Sequence, residues 1–175
     1  MKRGFEFALK DGEKAFKDAR LPVYATNRSA GADFFCAEDV TIPSIWTSVA
    51  KYVGNIVNIK SDKDTDIIKP TLVHTGVKAC MEDDEVLEIY TRSSMPKKVG
   101  VVLANSVGIV DADYYNNPSN DGEIMFAYYN IRPFDVTIKA GDRIGQGIFK
   151  KFLKPTFNLE VEESDREGGF GSTGV

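Results

Sequence analysis

The stretch Val99–Tyr115, VGVVLANSVGIVDADYY, decides how the rest of the chain is read. Its valines, isoleucine and leucine fall in runs too short for a helix, broken at Ala104-Asn105-Ser106 and ended at Asp111. Branched side chains pack well on a pleated surface, while Gly, Asn and Asp accept turn geometry, so the pattern reads as strands and turns. It recurs outward in both directions. ADFFCA, DVTIP, PTLVHTGVKAC and EVLEIYT precede it, and EIMFAYYNI, FDVTI and RIGQGIFKKF follow it. Long helical periods between these runs are missing, which disfavours a parallel α/β sheet. An all-β sandwich or barrel with a few short helical segments is expected. The main helical signal is KDGEKAFKDAR, Lys10–Arg20. There the sequence predicts about two or three turns, with Asp11 as N-cap and Pro22 as the stop.

At 175 residues the chain fits one domain with a proper core. Hydrophobic residues make up 42% and charged residues 27%, as in ordinary globular proteins. A formal net charge of −4 with no basic run argues against nucleic acid or an anionic membrane as partner, so any anion site must be a local cluster. Cys36, Cys80 and the single histidine, His74, are too few for a structural zinc. Isolated thiols behind a charged start, MKRGFEFALK, lead to the expectation of a soluble cytoplasmic protein. Two stretches look like additions to the strand framework: residues 45–69, holding the only tryptophan, and Tyr115–Asp121, YNNPSND.

Several residues have side chains suited to chemistry. In YTRSSMPKKVG, Arg92 precedes Ser93 and Ser94 where an extended run ends. A guanidinium fork beside small hydroxyls suits a phosphate, although a surface Arg and a capping Ser would look the same. Asp111, at the end of an apolar run, is either a turn residue or a partly desolvated general base. Asn105 is either an edge residue or an amide reading a base, and Tyr114 is core or a flat wall for a sugar. In AGDRIGQGIF, strict alternation would place 143 and 145 on one face and 144 and 146 on the other, with Gln146 free to donate to a ligand between two glycines. Asp33 starts a strand after a small-residue turn, where a carboxylate can bind the waters of a divalent ion. The tail REGGFGSTGV offers Arg166, Ser172, Thr173 and a strip of backbone N–H groups to a polyphosphate. Phe170 can stack on a base, which is worth roughly 1–3 kcal/mol.

Five of these segments, in this order, resemble the five motifs of the trimeric dUTP diphosphatase (dUTPase) family: AGAD, TRSS, GIVDADY, GDRIGQ and GGFGSTG. Each is weak alone; five in order are specific. The resemblance implies a jelly-roll β-barrel over residues 1–165, a mobile Gly-rich lid over 166–175, and a homotrimer with shared active sites. It implies hydrolysis of dUTP to dUMP and pyrophosphate, with Mg²⁺ on the triphosphate. By the same resemblance Asp111 activates the attacking water, Asn105 and the backbone around it read uracil, and Tyr114 lies against the deoxyribose. Arg92, Ser93, Ser94 and Gln146 serve the phosphates or the water. Asp33 holds metal-bound water, and Arg166, Phe170, Ser172 and Thr173 close over the nucleotide.

The chain also departs from the family pattern. Ser94 stands where the second motif usually has glycine, YNNPSND separates Tyr114 from Gly122, and Arg166 lies one residue closer to the glycines than usual. Inserts such as 45–69 are similar to those of phage or prophage members. Two alternatives stand beside dUTP hydrolysis. A dCTP deaminase of the same fold would need a glutamate after the third motif, where Ala127 stands. A nucleotide-gated binding protein would present Ile45, Trp46, Val49, Tyr52 and Val53 to a protein partner. The expectation for that insert is instead that it folds back and buries these side chains.

Overall fold

The computed structural model describes residues 3–57 and 68–157. The chain opens with β1 (Gly4–Phe7), a small hairpin of β2 (Leu9–Lys10) and β3 (Glu13–Lys14), and β4 (Val23–Tyr24). There follow β5 (Ala32–Phe35), β6 (Val40–Ile42), the helix α1 (Ile45–Val57), β7 (Thr71–His74), β8 (Val77–Cys80) and β9 (Glu85–Thr91). The second half holds β10 (Val101–Leu103), β11 (Gly108–Asp111), β12 (Met125–Asn130), β13 (Val136–Ile138) and β14 (Arg143–Lys151). A five-stranded sheet in the order β11-β9-β14-β5-β4 and a three-stranded sheet in the order β10-β12-β7 carry most of the fold. All strand pairs are antiparallel, and the architecture is a jelly roll. Among the described residues no helix is long and apolar enough to cross a membrane.

The core lies between the sheets, where Phe34, Leu87, Val101, Phe126, Tyr128 and Ile144 are fully buried. Each such side chain contributes about 1.5–3 kcal/mol relative to exposure. Phe126 stacks on Tyr128 at 6.1 Å and tilts against Phe34 at 5.6 Å. This layer explains the glycines of GQG in β14. A Cβ on Gly145 would lie 2.0 Å from Phe126 Cε1, and one on Gly147 would lie 2.7 Å from Phe34 Cε2.

Three expectations are corrected. Lys10–Arg20 is not a helix: Asp11 and Gly12 both take positive φ, 54° and 83°, and turn the chain into the β2–β3 hairpin. The Asp-Gly pair favours that two-residue turn, and a short helix without a packed face does not outweigh it. Strict alternation in β14 also fails. Arg143 pairs with Phe35 and Gly145 with Phe34, so a bulge at Ile144 intervenes. Ile144 and Gly145 are both buried, while Arg143 is exposed and Gln146 half-buried.

Among the described residues of the insert, two of the apolar side chains expected to be buried are exposed, while Ile45 and Val49 are half-buried. Ser44 caps α1 through its hydroxyl, which accepts from Trp46 N–H at 3.2 Å, and Trp46 and Val53 remain 55% and 51% exposed. Trp46 Nε1 donates to Ile131 O at 3.2 Å, which ties the first turn to the loop after β12 and holds the ring at the surface.

Candidate active site

Strand β9 organises the site, because one group of candidate residues stands at each of its ends. At its C-terminal end the chain leaves Thr91 into Arg92, Ser93 and Ser94, then makes a single π turn over Met95–Val99 closed by Gly100 at φ 82°. Across the sheet, Gln146 of β14 pairs with Tyr90 on one side and Asp33 of β5 on the other. Register therefore gathers three distant segments. Asp33, Arg92, Ser93 and Gln146 line one depression together with Gly31, where a Cβ would fall 2.7 Å from Gln146 Oε1. Ser94 and Arg143 line a second depression on the other side of Arg92.

Asp33 is the buried member of this group. Its Oδ1 takes Arg92 Nε at 3.0 Å, and its Oδ2 lies 3.4 Å from Arg143 Nη1. That Oδ2 is buried and accepts no hydrogen bond. A carboxylate held this way orients the Arg92 guanidinium while leaving its remaining N–H groups for an anion. Arg143 was not singled out in the sequence; its place three residues before Gln146 was the available signal, and the bulge that brings it beside Asp33 was not legible.

At the other end of β9, Asp111 closes β11 and pairs with Val86. It lines a shallow depression with Asp83, Glu85, Asp113 and Lys154. Glu85 is anchored beside it by the Arg3 guanidinium, whose Nε donates at 3.0 Å, and this holds the carboxyl below the usual range. Asn105 is exposed in the turn between β10 and β11, not on a strand face, and lies back toward the Arg92 end, beyond the Gly108–Ile89 pair. Ser106 takes φ 60° there, and Asn105 O accepts from Val107 N–H at 2.6 Å. Gly108 makes room for the Ile89 side chain of β9, since a Cβ would meet Ile89 Cγ1 at 2.4 Å. Tyr114 is only 7% exposed, and its hydroxyl donates to Glu123 O at 3.0 Å.

Val86, opposite Asp111, and Arg92 are six residues apart along an extended strand, about 20 Å at ~3.3 Å per residue. Within one chain Asp111 and the Asp33–Arg92–Gln146 group do not converge, whereas the turn holding Asn105 lies toward the Arg92 end, since Gly108 pairs with Ile89. Arg166, Phe170, Ser172 and Thr173 lie outside the described residues. Among the described residues no three His, Cys, Asp or Glu side chains cluster as a metal cage.

A family model described as dUTPase matches residues 57–174. The deoxyuridine 5'-triphosphate nucleotidohydrolase of Lactococcus lactis subsp. lactis is 39% identical over 175 residues, covering 99% of this chain and 98% of its own. That of Helicobacter pylori strain P12 is 33% identical over 93% of this chain and 94% of its own. The crystal structure of dUTPase from Streptococcus mutans superposes with a TM-score of 0.66 at 36% identity, covering 87% of this chain and 98% of that one. Staphylococcus bacteriophage 80alpha dUTPase, at 16% identity and a TM-score of 0.62 over 93% and 97% of the two chains, shares the fold alone.

Proposed function

The chain belongs to the dUTPase family and hydrolyses dUTP to dUMP and pyrophosphate, and on that premise we propose how its residues divide the work. Asp111 accepts the proton of a water that attacks the α-phosphorus. Asn105 and the turn backbone take the uracil edge, with hydrogen-bond polarity that uracil satisfies and cytosine does not. Tyr114 lies under the deoxyribose. Arg92, Ser93, Ser94 and Gln146 hold the triphosphate and its developing charge, since phosphoryl cleavage needs positioning and neutralisation more than covalent chemistry. Arg166, Phe170, Ser172 and Thr173, in a lid formed by residues 166–175, close over the nucleotide, and residues 1–165 form the domain beneath it.

Mg²⁺ fits this donor set as an ion carried by the triphosphate. Such an ion keeps several waters and needs one or two protein carboxylates rather than a cage. The Oδ2 of Asp33, which accepts no hydrogen bond and faces Arg143 at 3.4 Å, would be the acceptor for metal-bound water. When bound, the ion neutralises phosphate charge.

The observation that carries the rest is the length of β9. A base and a phosphate clamp about 20 Å apart on one chain do not act on one α-phosphate, which supports a homotrimer whose sites combine ends from different chains. Leu153 and Phe157, 98% and 76% exposed beyond β14, support it too, because such side chains find cover in an assembly. The buried free thiols of Cys36 and Cys80 support a cytoplasmic location.

The test supplies dUTP and dCTP separately with Mg²⁺ and assays pyrophosphate and ammonia. Pyrophosphate from dUTP alone, abolished in Asp111→Asn, is the expected result; hydrolysis surviving that substitution overturns the assignment of the base. The exposed Trp46 and Val53 of α1 favour a second, compatible reading of the insert as a surface for a protein partner. Partner capture that survives Asp111→Asn but fails in a Trp46→Ala, Val53→Ala double variant is its expected signature, and capture by both variants refutes it.

A further inference from the structure

The insert Tyr115–Asp121 interrupts the third motif between Tyr114 and Gly122, and its amides turn inward onto Tyr114. Asn117 Nδ2 donates to Tyr114 O at 3.0 Å and to Asn120 Oδ1 at 2.8 Å. Asn120 Nδ2 donates to the Tyr114 hydroxyl at 2.9 Å and to Glu123 O at 3.2 Å. The two ends of the loop meet closely. Gly122 takes φ 79°, and a Cβ there would lie 2.6 Å from Tyr114 O, so the return depends on glycine.

The loop is also fastened from outside. The buried Lys78 ammonium donates to Asn116 Oδ1 at 2.5 Å and Asp121 Oδ2 at 2.8 Å, and Leu9 N–H donates to the same Asp121 oxygen at 2.7 Å. Glu123 Oε1 accepts from Gly76 N–H at 2.9 Å, which fixes the acceptor residue of Tyr114 in turn. A loop tied at both flanks presents Asn120 in one place.

We propose that Asn120 is a positioning residue for sugar selection: by donating to the Tyr114 hydroxyl it fixes the ring that excludes a 2′-hydroxyl. The inference rests on the reading of Tyr114 as the wall under the deoxyribose. A phenol has one proton to give and lone pairs to receive. Glu123 O takes the proton and Asn120 supplies a donor, so the hydroxyl is held from two directions. A ring pinned at its tip cannot tilt to make room for the extra oxygen of UTP. Asn120 belongs to the segment between Tyr114 and Gly122, so selectivity would be set partly by that insert.

The test measures kcat and KM for dUTP and UTP in the full-length wild type, Asn120→Asp, Tyr114→Phe, their double variant and Tyr114→Leu, each with a melting curve. Asn120→Asp keeps the oxygen that accepts from Asn117 and Gly122 but turns the donor into an acceptor, which is set against Glu123 O and draws the Tyr114 proton away from it. The preference for dUTP over UTP in kcat/KM is expected to fall roughly 5-fold in Asn120→Asp, mainly through a lower KM for UTP. Tyr114→Phe should give a similar fall and the double variant no more, because both act through one hydroxyl. An unchanged preference in Asn120→Asp, or additive falls in the double variant, overturns the proposal. If Tyr114→Leu also leaves the preference intact, the sugar-wall reading fails with it; if Tyr114→Leu abolishes the preference while Asn120→Asp does not, only the role of Asn120 falls.

Discussion

The two ends of β9 both hold a carboxylate–guanidinium pair but differ in what surrounds it. At the Arg92 end, charges are paired and partly desolvated: a buried carboxylate, Asp33, stands between two guanidiniums, and Gly31 and Gly145 leave room for the Gln146 and Phe126 side chains. At the Asp111 end the charges are the Arg3–Glu85 pair on the strand, and just past Asp111 the Tyr114 hydroxyl is held by neutral hydrogen bonds to Glu123 O and Asn120. On the assignment proposed above, the difference suits what each end would meet. A triphosphate is recognised by concentrated positive charge whose orientation must be fixed before it arrives. A nucleoside is recognised by shape and by the polarity of a few donors and acceptors.

The comparison breaks most visibly at Asp111. Asp111→Asn should reduce dUTP hydrolysis by on the order of 10²–10⁴-fold, measured as pyrophosphate release, because the amide cannot take the water's proton. Mixing that variant with Arg92→Ala then sharpens it. If the ends combine across chains, two inactive proteins unfolded and refolded together regain activity; if each chain builds its own site, the mixture stays inactive.

A smaller effect is expected from Gly145→Ala, beside the Arg92 end, where the new Cβ meets Phe126. Overpacking there should cost about 1–3 kcal/mol in a denaturant titration. The smallest effect lies at the Asp111 end. Arg3 holds the Glu85 carboxyl below its ordinary 4.5, so the pair stabilises the fold fully above that pH and loses its contribution as the pH falls through the lowered value. Arg3→Ala should therefore melt lower than wild type at neutral pH, and the two curves should converge in acid. Parallel curves at every pH would remove Glu85 titration from the account.

Much of this was legible in the sequence. β-branched runs and turn residues declared an all-β chain, and the order of five short motifs named the family, because both are written in local chemistry. The side chains that a phosphate, a base or a sugar would need stand in the sequence as residue types, whatever the fold. What sits across from them does not. Only the tertiary structure put Arg143 beside Asp33, through a bulge at Ile144 that depends on how β14 pairs with β5. It turned Asp11-Gly12 into a hairpin where a helix was expected, and left Trp46 at the surface through a bond to Ile131 O, 85 residues away. It placed Asp111 and Arg92 at opposite ends of one strand, and brought Asn120 onto the Tyr114 hydroxyl. Propensity and residue type act over a few neighbours, whereas register and opposition are settled by contacts between distant segments, and those contacts exist only once the chain has folded.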